Sequence, residues 1–224
     1  MMNFGLAVRG VGIIVLLTAG LLLIGGRTSY WQAWLFGLVN CLLVLALSVW
    51  LADQAELIRD RMKPGPVTKA WDKILMAVFF PLALAVPVVA SLDAGRFGWS
   101  APFHVIIYPL CYAVYVASAC MHLGAIRANR FYKSTVSIEP EEGQAVVDAG
   151  PYAVVRHPGY TGIIFMEIGI ALVLGSLWAL IPAGLVAALL VVRTVLEDTA
   201  LRAELPGYDG YAERVRYRLL PGLW

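Results

Sequence analysis

The sequence predicts an all-α fold: a polytopic transmembrane helical bundle of four spanning helices plus a C-terminal membrane helical hairpin. Three observations predict it. Hydrophobic residues make up 60% of the 224 and charged residues only 14%, against roughly a quarter charged in a soluble domain. Apolar runs recur near the ~20 residues that a helix needs to cross hydrocarbon. Basic residues gather between alternate runs, as orientation in a bilayer requires.

The first run, Val8–Ile24, carries Arg9 at its start and imitates a secretory signal. No small-residue cleavage site follows in "LLLIGGRTSYW", so the run is expected to stay as an uncleaved first span. Ala33–Leu51, Ile74–Leu92 and Phe103–Leu123 supply the next three. A fifth block, Tyr160–Leu196, is too long for one crossing and is broken near Gly175 and Ser176, with Pro182 just beyond. It reads as a hairpin whose arms are each short for a full crossing. The chain divides accordingly into an N-terminal helical hairpin, 1–52, and a core, 53–224.

With the N-terminus in the cytosol, 15 of the 17 basic residues fall on the inner side, leaving Arg27 and Arg96 outside. The long polar segments Asp53–Lys73, Ala125–Pro158 and Glu197–Trp224 share that inner side, while the outer loops Gly25–Gln32 and Asp93–Pro102 are short. Both termini and any polar chemistry are therefore expected on the cytosolic face of a bacterial inner membrane or its equivalent.

A net charge of +2 gives no footprint for nucleic acid. Cys41, Cys111 and Cys120 all lie in apolar runs at irregular spacing, which makes neither a disulfide framework nor a zinc pattern. No metal site is expected: His122 has no second ligand spaced to help it, and His104 suggests nothing.

The chemistry concentrates around "GPYAVVRHPGYTGII". Pro158 is suited to a first helical position, where its missing N–H costs nothing. The N–H groups that follow point to the loop as an anion site, and Arg156 and His157 add charge and donors. Snorkelling of Arg156 to lipid phosphates explains the same residues. In "RTVLEDTALRAELPGYDGY", Arg193 and Glu197 are four apart and share a helix face, either as an ordinary ion pair or as part of a site. Glu167 is the one acid inside the apolar block "IIFMEIGIAL", where an ionisable group defaults to a functional hypothesis. The stripe Tyr108, Cys111, Tyr112, Tyr115, Ser118 and His122 lines one side of the fourth span, and interhelical bonding explains it as well as a cavity does.

"GPYAVVRHPGYTG", "RTVLED" and "GYDGYAERVRYRLLPG" together resemble the isoprenylcysteine carboxyl methyltransferase family of integral membrane enzymes. Upstream, "ELIRDRMKPGPVTKAWDK" resembles a cytosolic loop of bacterial members, so the likeness runs from about residue 53 to the end. It implies methyl transfer from S-adenosylmethionine to a lipophilic acceptor that enters from the bilayer. It implies cofactor contacts from Gln144, Ala145, Val146 and Val147, from Tyr152, from His157, Pro158, Gly159 and Tyr160, and from Glu197. Arg193 would face the acceptor. The family often has two consecutive glutamates where this chain has Glu197 and Asp198, which leaves Asp198 without an assigned role. Glu167 lies outside the family pattern and enters as a base for a thiol or phenol acceptor; a carboxylate acceptor needs none.

The cofactor's charges suit these residues. Its carboxylate matches a helix N-terminus beside Arg156 and His157, and its cationic amine and sulfonium match Glu197 and the faces of Tyr152 and Tyr160. Two other readings compete. Membrane sterol reductases using NADPH carry a similar Arg-His-Pro-Asn-Tyr motif, but Gly159 stands at the Asn position and Ile163 replaces an acid after Gly162. A transporter or scaffold would explain the spans but not motifs gathered on one face. The acceptor's identity and the oligomeric state are not written in the sequence.

Overall fold

The computed structural model describes residues 4–50 and 67–224. The basic residues Arg59, Arg61 and Lys63 and most of the segment Asp53–Lys73 lie outside them. Seven α-helices occur among the described residues, with no strand: α1 Phe4–Gly25, α2 Trp31–Trp50, α3 Ala70–Ala90, α4 Tyr108–Ala128, α5 Pro158–Val173, α6 Leu180–Glu204 and α7 Tyr208–Arg214.

Among the described residues, five stretches are long and apolar enough to cross a bilayer: Ala7–Gly25, Trp31–Trp50, Ala70–Phe97, Val105–Ala128 and Leu180–Glu204. Their large side chains stay uncovered by protein, as with Leu16, Leu23, Ile74, Phe80 and Leu110. Water does not tolerate so much contiguous apolar surface, but lipid does. The protein is a multi-pass integral membrane protein built as a helical bundle.

Two expected boundaries move. The third span does not stop at Leu92 but continues from α3 as a π-helical turn, Ser91–Phe97, closed by Gly98 at φ +65°. The hairpin forms at the expected break: α5 ends at Val173 and Gly175 takes φ +81°. Its arms are unequal, however. α5 has 16 residues, too few for a perpendicular crossing, whereas α6 has 25 and is long enough to cross. The second arm is longer than its apolar run because the helix continues past Leu196 into the polar Glu197–Glu204, where Asp198 finds buried partners.

The residues fall into two compact units. The first comprises Met1–Ala55, Leu82–Tyr115 and Glu167–Gly184, and the second Glu56–Pro81, Val116–Met166 and Leu185–Trp224. In the first, a fully buried Asp93 accepts hydrogen bonds from the Ser100 backbone N–H and from the hydroxyls of Ser100 and Ser176. The Tyr30 hydroxyl donates to Leu174 O at 2.6 Å. Asp93 thus holds together two turns that the sequence separates by more than 70 residues, an arrangement that satisfies a carboxylate where water is scarce.

In the second unit, α4 and α5 pack at backbone contact. A Cβ added at Gly162 would lie 2.7 Å from His122 N, so only glycine permits that approach. The His122 Nδ1 bonds Gly159 O at 3.1 Å beside it. The polar segments close on one another through Lys69 N–H to Val136 O, and through the N–H groups of Arg156 and His157 to the carbonyls of Tyr217 and Arg218. A core of Ile138, Leu205, Tyr208, Tyr211, Ala212 and Val215 lies under this layer.

Candidate active site

The second unit contains an open cleft of about 830 Å³, counting its mouth. Its walls come from the loop after α4, from the segment before α5, from the start of α5, and from the ends of α6 and α7. Gln144, Ala145, Val146, Val147, Tyr152, Arg156, His157, Gly159, Tyr160 and Glu197 all line it. These residues, spread over 54 positions in sequence, converge because α5 starts at Pro158 and α6 returns Glu197 to the same unit.

Tyrosines dominate the walls. Tyr132, Tyr152, Tyr160, Tyr208 and Tyr211 all line the cleft, and His157 stacks parallel on Tyr160 with centroids 5.6 Å apart. Burial pushes the phenol of Tyr132 up to about 12 and raises Tyr152, Tyr208 and Tyr211 as well. These rings are neutral at physiological pH and offer electron-rich faces to a cation. Glu197 accepts a hydrogen bond from the Tyr160 hydroxyl. Val146 and its neighbours line one wall. Among the described residues, the peptide groups of 145–147 make no hydrogen bond to protein, which leaves an edge able to pair with a planar heterocycle.

Two buried ion pairs hold the cleft. Asp198, 1% exposed, takes Arg156 Nε at 2.8 Å and Nη2 at 3.0 Å. Tyr208 OH donates to it at 2.8 Å and Arg218 Nε at 3.1 Å, with His157 Nε2 and Arg202 farther off at 3.5 and 3.7 Å. The Nη1 of Arg156 donates to Val215 O and Arg216 O. Arg156 therefore lines the cleft mainly as the clasp of the C-terminal segment.

The second pair joins Arg193, 4% exposed, to Asp72, fully buried. Arg193 Nε and Nη2 reach Asp72 at 2.7 and 3.1 Å, and Nη2 also donates to Ser134 O. The sequence offered Glu197 as the partner of Arg193, but no ion pair joins them among the described residues; Asp72, 121 positions away, takes the arginine. Two parallel bonds to a buried carboxylate outweigh one long pair along a helix. Arg193 lies 5.0 Å over the Tyr160 ring, and its Nη1 donates to no protein acceptor among the described residues.

Glu167 is not brought to the cleft walls. It belongs to the first unit, is 5% exposed, and its Oε2 has no partner among the described residues. Pro158 starts α5 as expected without itself lining the cleft.

The loop after α4 adds residues that sequence reading passed over: Asn129, whose amide approaches Tyr152 OH at 3.5 Å, and Lys133, whose Nζ bonds Glu139 Oε1 at 2.7 Å. Glu139 is further fixed by the Ser137 hydroxyl, and its N–H donates to Gln144 Oε1. Lys133 and the Ser137 hydroxyl pull the Glu139 carboxyl below its ordinary range. Glu142, exposed beside it, is pushed up by the same carboxyl. No local pattern marks these residues, though Asp72 sits in the upstream segment "PVTKAWDK" that already carried a likeness.

Residues 105–203 match the isoprenylcysteine carboxyl methyltransferase (ICMT) family. That segment contains every cleft residue singled out from the sequence. A curated relative, the protein-S-isoprenylcysteine O-methyltransferase of Schizosaccharomyces pombe, is 24% identical over 148 residues, which is 66% of this chain and 48% of that protein. The chain thus spans about half the length of the curated relative it matches. The ICMT match and the cleft agree on place: Tyr152, His157, Tyr160 and Glu197 fall inside both.

Proposed function

We propose that the chain is a membrane methyltransferase that uses S-adenosylmethionine and O-methylates a lipophilic carboxylate of the isoprenylcysteine kind. One observation carries this reading. Residues that the ICMT resemblance assigns to the cofactor, 144–147, Tyr152, His157, Gly159, Tyr160 and Glu197, line a single cleft.

The donor set fits the cofactor. The unbonded peptide edge of 145–147 suits an adenine ring, the tyrosine faces suit a sulfonium, and the Glu197 carboxylate suits an ammonium. When bound, S-adenosylmethionine supplies an electrophilic methyl group on a cationic sulfur. The protein's part is to hold donor and acceptor in line and dry. Arg193 would orient the acceptor carboxylate through its unengaged Nη1, while Asp72 fixes the guanidinium and Tyr160 backs it. A carboxylate has no proton to lose, so no base is required. The acceptor's lipid chain would approach from the bilayer.

The test is transfer from methyl-labelled S-adenosylmethionine to an N-acetylated S-prenylcysteine by the purified protein. The expected product releases labelled methanol in alkali, as a carboxyl methyl ester must. Label that survives alkali would place the methyl on sulfur or nitrogen and overturn the carboxylate reading.

A further inference from the structure

The sequence placed the carboxylate of the cofactor's amino-acid end at the start of α5, beside Arg156 and His157. The cations lining the cleft among the described residues are Arg156 and Lys133, with His157 as a titratable third. Arg156 has four of its five N–H donors engaged, by Asp198 through Nε and Nη2 and by two carbonyls through Nη1. His157 turns its Nε2 toward the same Asp198, at 3.5 Å, and its face to Tyr160. Arg156 is therefore left with one N–H for a ligand at the start of α5.

Lys133 differs. Its ammonium has three donors and, among the described residues, one partner, Glu139. Its side chain is 29% exposed, open enough to meet a ligand. Glu139 is itself anchored through Ser137 and Gln144, so the ammonium is held in place. We propose that Lys133 binds the carboxylate of the cofactor's amino-acid end, with Glu197 attracting its cationic groups. This assignment rests on the methyl-transfer reading and refines it, since nothing in the sequence motifs points to Lys133.

The test compares two nucleosides, S-adenosylmethionine and its decarboxylated analogue, binding to detergent-purified protein by equilibrium dialysis. The wild type is expected to prefer the intact cofactor by about 10-fold to 100-fold, the range for a hydrogen bond to a charged group. Lys133→Met should erase the preference by weakening the intact cofactor alone, and Lys133→Arg should restore it. Glu139→Gln, which breaks the anchor but keeps the cation, should retain a preference. If Lys133→Met weakens both nucleosides equally, or leaves the preference intact, Lys133 is only a loop anchor and the proposal falls. A wild type that binds neither nucleoside overturns the methyl-transfer reading itself, a different result.

Discussion

Replacing Asp198 by asparagine keeps the side chain's shape but removes the charge that faces Arg156, Arg202, Arg218 and His157. Arg156 would then stay buried without its counter-ion, a loss of about 3–5 kcal/mol for a broken buried pair. Asp198→Asn should lower the melting temperature of the detergent-solubilised protein by several degrees. An unchanged melting temperature would show that the pair is not what holds the C-terminal segment. At this scale the sequence told half the story. Tyr152, His157, Tyr160 and Glu197 were legible because their motif spacing carries information. Asp198 and Asp72 were not, because helical spacing says which residues share a face and nothing about what packs across it. Arg193 shows the limit: its near neighbour Glu197 was visible, and its true partner lay 121 residues away.

At the scale of elements, the loop between α4 and α5 depends on the Lys133–Glu139 pair. Glu139 has its carboxyl lowered by Lys133, so the folded loop favours the ionised form. Its contribution is complete above the unfolded carboxyl value of about 4.3 and is lost as pH falls through the lower folded value. Glu142, pushed up by Glu139, acts in the opposite sense, but it is fully exposed and screened. Amide exchange in residues 133–147 should therefore quicken, after correction for the intrinsic rate, as pH falls below the ordinary carboxyl value of about 4.3. Glu139→Gln should abolish that dependence; a wild-type loop indifferent to acid would refute the pairing. The helices themselves were the most legible elements, since apolar length and Pro158 and Gly175 mark their ends. The π-helical turn after Ala90 and the polar end of α6 were not, because both are stabilised by distant partners of Asp93 and Asp198.

For the whole molecule, composition alone gave a helical membrane protein, and the exposed apolar faces of the long helices agree. Sidedness is the larger commitment. From the asymmetry of 15 basic residues against two we propose that the cleft residues face the cytosol, the side from which a soluble nucleoside cofactor would arrive. Reporter fusions in a bacterial host should give active alkaline phosphatase after residue 29 or 101, and fluorescent protein only at the C-terminus. The reverse pattern would remove the cleft from its cofactor.

The central claim is that one cleft holds a nucleoside sulfonium. Equilibrium binding of radiolabelled S-adenosylmethionine to the purified protein, with NADPH in parallel, measures it directly. Saturable binding of the first near one per chain, lost in Glu197→Ala, is the predicted result. Binding of NADPH with none of S-adenosylmethionine would contradict it.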